Sequence, residues 1–313
     1  MQVANRTVIF RQIHIDVARN ATDDFNLFHD KTKWNQVSCN PFGGTIVLGF
    51  QLELLIEYQI RRYREFHGED EIITRNELNF SNYDFMFLNA VRPDREAMVT
   101  IGSSELSDRD STVLSNRINL KSEGKLDLTG YKRESKTPLF MPDFKTPDWG
   151  DLHEVEDRSY LSGSDFFVKR KFMNTSNAKN FLTGSLAEQS DYFDELDDIA
   201  HFPEMFPCGL ISCALLEKMD CDGHDFKQDP LVYTSHKISI DRRCLARLKS
   251  NDALHLLVRE KDEALPWASL SNADKPKALT KQGHSGQHLS FECIGIMPEN
   301  KILFRALISL RPL

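Results

Sequence analysis

The sequence has no apolar run that could cross a bilayer. Its two longest, Gly44–Leu55 and Cys208–Leu216, fall short of the roughly 20 residues a spanning helix needs, and both contain polar positions. A secretory leader is also lacking: the opening MQVANRTVIFRQIHID carries charge inside its first apolar stretch and has no small-residue cleavage site behind one. These absences predict a cytoplasmic protein. No CxxC pair occurs among the six cysteines (Cys39, Cys208, Cys213, Cys221, Cys244 and Cys293), so reduced thiols are expected rather than a disulfide framework or a zinc site. Cations are in deficit, 39 Lys and Arg against 47 Asp and Glu, and a net charge of −8 argues against nucleic acid or anionic lipid as the partner. What is present is globular. The 313 residues are 40% hydrophobic and 27% charged, too apolar for a disordered chain and long enough for two domains at roughly 150 residues each.

The order of elements repeats. Residues 6–16 partly alternate apolar and polar side chains, as a half-buried strand does, and a polar, turn-prone stretch (ARNATDDFNLFHDKTKWNQ) follows. Thr45 to His67 then carries Ile46, Phe50, Leu54, Leu55, Ile56 and Ile60 on a wide helical stripe that stops at Gly68. Strands are expected between Ile72 and Ser103, with Arg117–Leu120 and Lys125–Leu128 completing a meander. Residues 132–160 hold three prolines among many charges and read as a connector between domains at 1–131 and 161–313. Beyond it come a strand at Phe166–Phe172, an irregular stretch AKNFLTGSLAEQ, a Pro-rich turn and an apolar helix Leu210–Met219. Strands follow at Val232–Ile240, Ala253–Arg259, Leu289–Ile296 and Ile302–Leu310. Gly49 falls against Gly209 when the halves are aligned. A strand, a loop, a buried helix and several antiparallel strands, twice over, is an α+β pattern in which a sheet wraps a helix.

The residues that carry chemistry lie in the first half. Asp24 and His29, five residues apart on an irregular loop, can converge on one water molecule, the carboxylate accepting its proton and the imidazole orienting it or returning a proton. Gly49, at the first turn of a buried helix, leaves its N–H open to an approaching carbonyl, where helix-end charge adds to the attraction. Such a donor stabilises the enolate-like oxygen that develops when water adds to an unsaturated thioester. Against this stands the plainer reading that Asp24 and Asn26 cap their own loop and His29 is a satisfied, partly buried histidine.

Thr22-Asp23-Asp24-Phe25-Asn26-Leu27-Phe28-His29, followed about twenty residues later by Phe42-Gly43-Gly44-Thr45-Ile46-Val47-Leu48-Gly49, resembles the signature of the MaoC-like, type 2 enoyl-CoA hydratases. Asp24, Asn26, His29, Phe42, Ile46, Val47 and Gly49 match in identity and spacing. Asp23, Leu27 and Leu48 stand where that family has glycine, proline and histidine. Lys31 stands where an acidic residue is usual, with Asp30 one place early. The resemblance implies a double hotdog, with Asp24 and His29 catalytic and Gly49 and Asn26 on the substrate. It implies a trans-2-enoyl thioester of coenzyme A or acyl-carrier protein as substrate, a place in fatty acid metabolism, and no metal or redox cofactor.

In the second half, His201-Phe202-Pro203 before Pro207-Cys208-Gly209 resembles the β-hydroxyacyl-ACP dehydratases, also hotdog proteins, and makes His201 a weaker second candidate. The segment is one residue short, and Ala214 occupies the position of that family's acidic partner. Of the remaining candidates, Gly283-His284-Ser285-Gly286 lacks a spacer of a nucleophile elbow, and Cys221–Asp225 reads as a surface loop rather than a metal site. Arg61, Arg62 and Arg64 read as a solvated basic helix end before they read as phosphate ligands. The expected molecule is therefore a pseudo-dimer of two hotdogs, compatible with pairing again as a homodimer, that hydrates an enoyl thioester or runs the reverse dehydration at one site per chain. A non-catalytic acyl-thioester-binding or assembly protein, and a thioesterase, are the alternatives.

Overall fold

The computed structural model describes residues 4–107, 111–145, 147, 149–197, 199–261 and 288–313. The first half holds β1 (Ala4–Ile9), α1 (Gln12–Thr22), α2 (Gly49–His67), α3 (Asp70–Arg75), β2 (Phe80–Phe87), β3 (Glu96–Ile101), β4 (Glu105–Ser107), β5 (Val113–Ser122) and β6 (Lys125–Ser135). The second holds β7 (Ser159–Tyr160), β8 (Phe167–Phe172), α4 (Thr175–Gly184), β9 (Phe193–Asp194), β10 (Ile199–Ala200), α5 (Met205–Gly209), α6 (Ile211–Cys221), β11 (Leu231–Asp241), α7 (Arg242–Leu245), β12 (Ala253–Glu260), β13 (Leu289–Met297) and β14 (Lys301–Pro312). One antiparallel sheet runs β1-β3-β5-β6-β2-β11-β14-β13-β12-β8-β7, with β4 on β5. The halves meet where β2 pairs with β11, Phe85 opposite His236. This is the double hotdog that the sequence implied.

Each half wraps its own helix. Helix α2 is buried on nearly every face from Phe50 to Tyr58, which explains its apolar stripe being wider than one side. Gly68 ends it at φ 65°, a left-handed cap that glycine adopts without strain. Several of its buried polar side chains have partners across the core. Glu53 meets His236, and Arg64 meets Glu134 and Asn116. Glu57 accepts the backbone N–H groups of Glu204 and Met205 at 2.9 and 2.8 Å, at the start of α5. Burial and the nearby Glu204 push the Glu57 carboxyl up to about 8.

Two helices stand where the sequence predicts a strand end or irregular chain. Residues 12–22 are not the end of a strand: β1 stops at Ile9, and the buried positions after it are Ile15, Ala18 and Ala21, at helical spacing. In AKNFLTGSLAEQ, Ala178, Phe181 and Leu182 form the buried face of α4. The two helices cover each other across the halves. At Gly184 the backbones touch, and a Cβ there would lie 2.8 Å from the Ala18 nitrogen and the His14 oxygen. Strand β6 also runs on to Ser135, into the segment expected as connector. No helix among the described residues is long and apolar enough to cross a membrane.

Candidate active site

Helix α1 ends at Asp23, whose left-handed backbone (φ 53°) turns the chain into the loop that carries the candidate residues. The Asp23 side chain points away from that loop and pairs with Lys171 on β8, so the aspartate that replaces a family glycine does not enter the site. Arg19 holds the loop from behind. Its Nε donates to the Asp24 carbonyl at 2.9 Å and its guanidinium meets the Asp30 carboxylate at 3.0 Å. Asp24 and Asn26 do cap their own loop: Asp24 Oδ1 accepts the Asn26 N–H at 2.9 Å, and Asn26 Oδ1 accepts the Phe28 N–H at 3.1 Å. The plain reading of these two residues is thus correct as far as it goes. Their caps set the single helical turn Leu27–His29 that delivers the imidazole.

His29 is 5% exposed, and its Nδ1 lies 2.8 Å from the Ile46 carbonyl oxygen. A carbonyl only accepts, so Nδ1 carries the proton and Nε2 of the neutral ring keeps its lone pair. Burial lowers the His29 pKa below the ordinary histidine value, against the opposing pull of Asp24 and of the Ile46 carbonyl. Asp24 is 3% exposed and acts electrostatically on both His29 and Tyr233 of β11.

The chain entering α2 uses its amides one by one. Ile46 N–H donates to the Phe28 carbonyl at 3.1 Å, Val47 N–H to the Val91 carbonyl at 2.9 Å, and Leu48 N–H to Gln51 Oε1 at 3.3 Å. Gly49 N–H is the next in line and has no partner among the described residues, as the first amides of a helix do not. A Cβ at Gly49 would sit 3.2 Å from the Phe87 ring and 3.5 Å from the His236 ring, so the glycine keeps this corner open.

Asn26, His29 and Gly49 open onto a common cavity of about 450 Å³. Its apolar wall comes from both halves: Phe28, Ile46 and Phe87 from the first, Leu215, Met219 and Tyr233 from the second. Asp24 lies behind this surface rather than on it. Tyr233 escaped the sequence reading because no motif marks it. A bulge in the β11–β14 ladder between Tyr233 and Ser235 breaks the alternation that would have predicted its direction. The Tyr233 hydroxyl pairs with Ser212 at 3.0 Å, and its ring packs edge-on against His236.

The other candidates lie elsewhere. His201 is exposed, its backbone N–H bonded to the Tyr192 carbonyl, and it does not line this cavity. Arg61 lies over the Tyr192 ring and pairs with Glu65, Arg62 pairs with Asp191, and Arg64 is buried on Glu134. All three are far along α2 from Gly49 and already partnered. No group of three or more metal-ligating side chains gathers among the described residues, Cys221–Asp225 included. Gly283–Gly286 lies outside the described residues.

One prediction arises from Asp30. Burial alone would raise its pKa, but the Thr32 hydroxyl and N–H and the Arg19 guanidinium outweigh burial and hold it at about 2. The folded value is below the unfolded 3.8, so the stabilisation is present above that value and is lost as pH falls through about 2. It is fully present at neutral pH. Urea unfolding of Asp30→Asn against the parent is expected to show a stability gap at neutral pH and to show it closing near pH 2.

Among solved structures, the chain is similar over its whole length, and over 96% of the other chain, to a conserved Mycobacterium tuberculosis protein described as having a double hotdog fold, with a TM-score of 0.57 and 11% identity. A MaoC-like dehydratase from Phytophthora capsici matches over 99% of this chain and 95% of its own, at a TM-score of 0.55 and 10% identity. The full-length peroxisomal multifunctional enzyme type 2 of Drosophila melanogaster matches over 99% of this chain at 0.53 and 9% identity. This chain spans about half that enzyme's length, 48%. No protein-family model matches the sequence, and no curated protein does. At these identities the likeness establishes the fold. The molecule is a double-hotdog protein with the architecture of the MaoC-like dehydratases.

Proposed function

We propose that the chain hydrates trans-2-enoyl thioesters to 3-hydroxyacyl thioesters, or runs the reverse dehydration, at the cavity between its halves. The observation that carries this reading is the free Gly49 N–H opening onto the same cavity as a neutral His29, with buried Asp24 acting on the imidazole. The thioester oxygen accepts the Gly49 N–H. A water in the cavity donates an O–H to His29 Nε2, and the buried Asp24 carboxylate favours the positive charge that the imidazole then takes on. As the water oxygen bonds to C3, its proton passes to the Asp24–His29 pair, and the C2–C3 π electrons move toward the thioester oxygen, where Gly49 holds the developing charge. The pair returns the proton to C2, so hydroxyl and hydrogen add across the double bond and the side chains end as they began. The acyl chain lies along Phe28, Leu215 and Met219.

The test is loss of the enoyl thioester absorbance measured beside release of free thiol. Enoyl loss without thiol supports hydration. Thiol release makes the protein a thioesterase, and silence in both channels makes it an acyl-binding protein.

The pH dependence has a definite sign. Because burial lowers the His29 pKa, Nε2 stays unprotonated below the ordinary histidine value of 6.5. The acid limb of kcat/KM is expected to fall below pH 6.5, and a limb above it would mean that the imidazole is exposed in the working protein.

A further inference from the structure

One buried pair beside this site takes no part in the chemistry above. Glu53 on α2 and His236 on β11 are both 0% exposed, and His236 Nδ1 donates to Glu53 Oε1 at 3.0 Å. The carboxylate comes from the first half and the imidazole from the second. Each keeps one polar atom, Glu53 Oε2 and His236 Nε2, buried without a partner among the described residues. Aromatic rings close around the imidazole: Phe50 stacks on it with ring centroids 4.5 Å apart, and Tyr233 and Phe87 meet it edge-on at 4.5 and 4.8 Å. Packing does not require such a pair. Two apolar side chains of similar volume would serve the core as well or better, because taking an acid and an imidazole out of water is costly. The position of the pair is what sets it apart. His236 Cε1 lies 3.5 Å from the point a Gly49 Cβ would occupy, and Glu53 stands about one helical turn, roughly 6 Å, further along α2. The edge of the imidazole therefore runs from the Glu53 carboxylate back to Gly49, whose N–H opens onto the cavity. Phe87 and Tyr233, which shut the pair off, both line that cavity.

We propose that Glu53 and His236 are a positioning pair for Gly49: they share one proton as an ion pair, and the imidazole holds positive charge behind the amide that receives the thioester oxygen. This rests on the acyl-thioester reading above and adds to it a residue from the second half. The pair is neutral as a whole, and its positive end is the one nearer Gly49. Its field therefore runs with that of the α2 N-terminus and adds to it where the enolate-like charge develops. Three rings keep water away, so the field reaches the amide with little screening. Neither side chain lines the cavity, and both act through Gly49. Tyr233 lies within electrostatic reach of Asp24 and Glu53 alike. Two acid–imidazole pairs thus flank one amide, Asp24 with His29 moving the proton and Glu53 with His236 steadying the charge on oxygen.

The test reads the polarisation of a bound carbonyl. The probe is the dethia analogue of octanoyl-CoA, a ketone in which methylene replaces the thioester sulfur, so it neither hydrates nor hydrolyses. Calorimetry follows its binding, and isotope-edited infrared spectroscopy follows its carbonyl stretch, which polarisation at Gly49 lowers. Glu53→Gln keeps an oxygen for the Nδ1–H at nearly the same volume and removes the charge. It is expected to bind the probe within about twofold of the parent while the carbonyl stretch moves up. Its kcat for enoyl hydration should fall by about tenfold at unchanged KM, the mark of an interaction made in the transition state. The double variant Glu53→Leu/His236→Phe replaces the pair by apolar side chains. It is expected to match or exceed the parent's urea midpoint and to show the same upward stretch and loss of kcat. A merely structural pair would move the unfolding midpoint and leave the stretch where it was. An unchanged stretch in the folded variants, or unfolding of both, overturns the positioning pair while the acyl reading stands. No binding of the probe by the parent overturns the acyl reading, and the role of the pair falls with it.

Discussion

Asp24→Asn and His29→Ala are each expected to lower enoyl hydration by about a thousandfold, the usual scale for losing a positioned acid–base group. The two losses should not add. Both residues serve one proton transfer, so the double variant falls little further than either single one. Asp24→Asn keeps the acceptor for the Asn26 N–H, which is 2.9 Å from Oδ1, so the loop and the Leu27–His29 turn persist. Far-ultraviolet circular dichroism and the unfolding midpoint should therefore match the parent while kcat falls. If Asp24→Asn retains full activity, Asp24 is a loop cap and nothing more. If it unfolds the protein, the carboxylate is needed by the fold, and His29→Ala becomes the informative variant.

Gly184→Val should be the most damaging single change to stability outside the core side chains. The Cβ would press within 2.8 Å of backbone atoms of α1, and backbone cannot turn aside as a side chain can. Overpacking of this kind costs about 3 kcal/mol. Activity should fall with it, because α1 leads directly into Asp24 and because Gly184 supplies the carbonyl that Gln51 of α2 donates to at 2.6 Å. Gly44→Ala is the contrast. A Cβ there meets nothing within 4 Å, and the substitution is expected to cost less than about 0.5 kcal/mol although the residue belongs to the recognised motif. Denaturant midpoints of the two variants check the pair directly.

These two glycines show what was legible in the sequence. The motif around Phe42–Gly49 announced itself because it is contiguous, and α2 was readable because its apolar stripe is long and Gly68 ends it. Most strands after it were readable from alternation, as in β5, where Leu114, Ile118 and Leu120 are buried. Helix α1 was not. Ile13, Ile15 and Val17 alternate as a strand would, yet Ile13 is 59% exposed and the buried set is Ile15, Ala18 and Ala21. The local pattern favoured a strand, and packing against α4 decided for a helix. Helix α4 is short and polar, with three buried apolar positions, Ala178, Phe181 and Leu182, that need α1 from the other half to cover them.

The site divides in the same way. Asp24, Asn26, His29 and Gly49 lie in two short segments, and their roles in capping, tautomer choice and a free amide follow from residue type and local turns. Arg19 and Tyr233 do not. Arg19 matters because a helix precedes the loop, and Tyr233 because a bulge redirects it. Neither has a signature in one dimension.

In the proposed reaction Gly49 and His29 meet one acyl thioester in the cavity between the halves, with Asp24 behind the imidazole. The most direct measurement is a crystal structure of the protein with a bound 3-hydroxyacyl-CoA. The expected result is the thioester oxygen about 3 Å from the Gly49 nitrogen and the 3-hydroxyl within hydrogen-bond reach of His29 Nε2. A ligand whose carbonyl lies away from Gly49, or whose 3-hydroxyl does not reach His29, would contradict the proposed reaction.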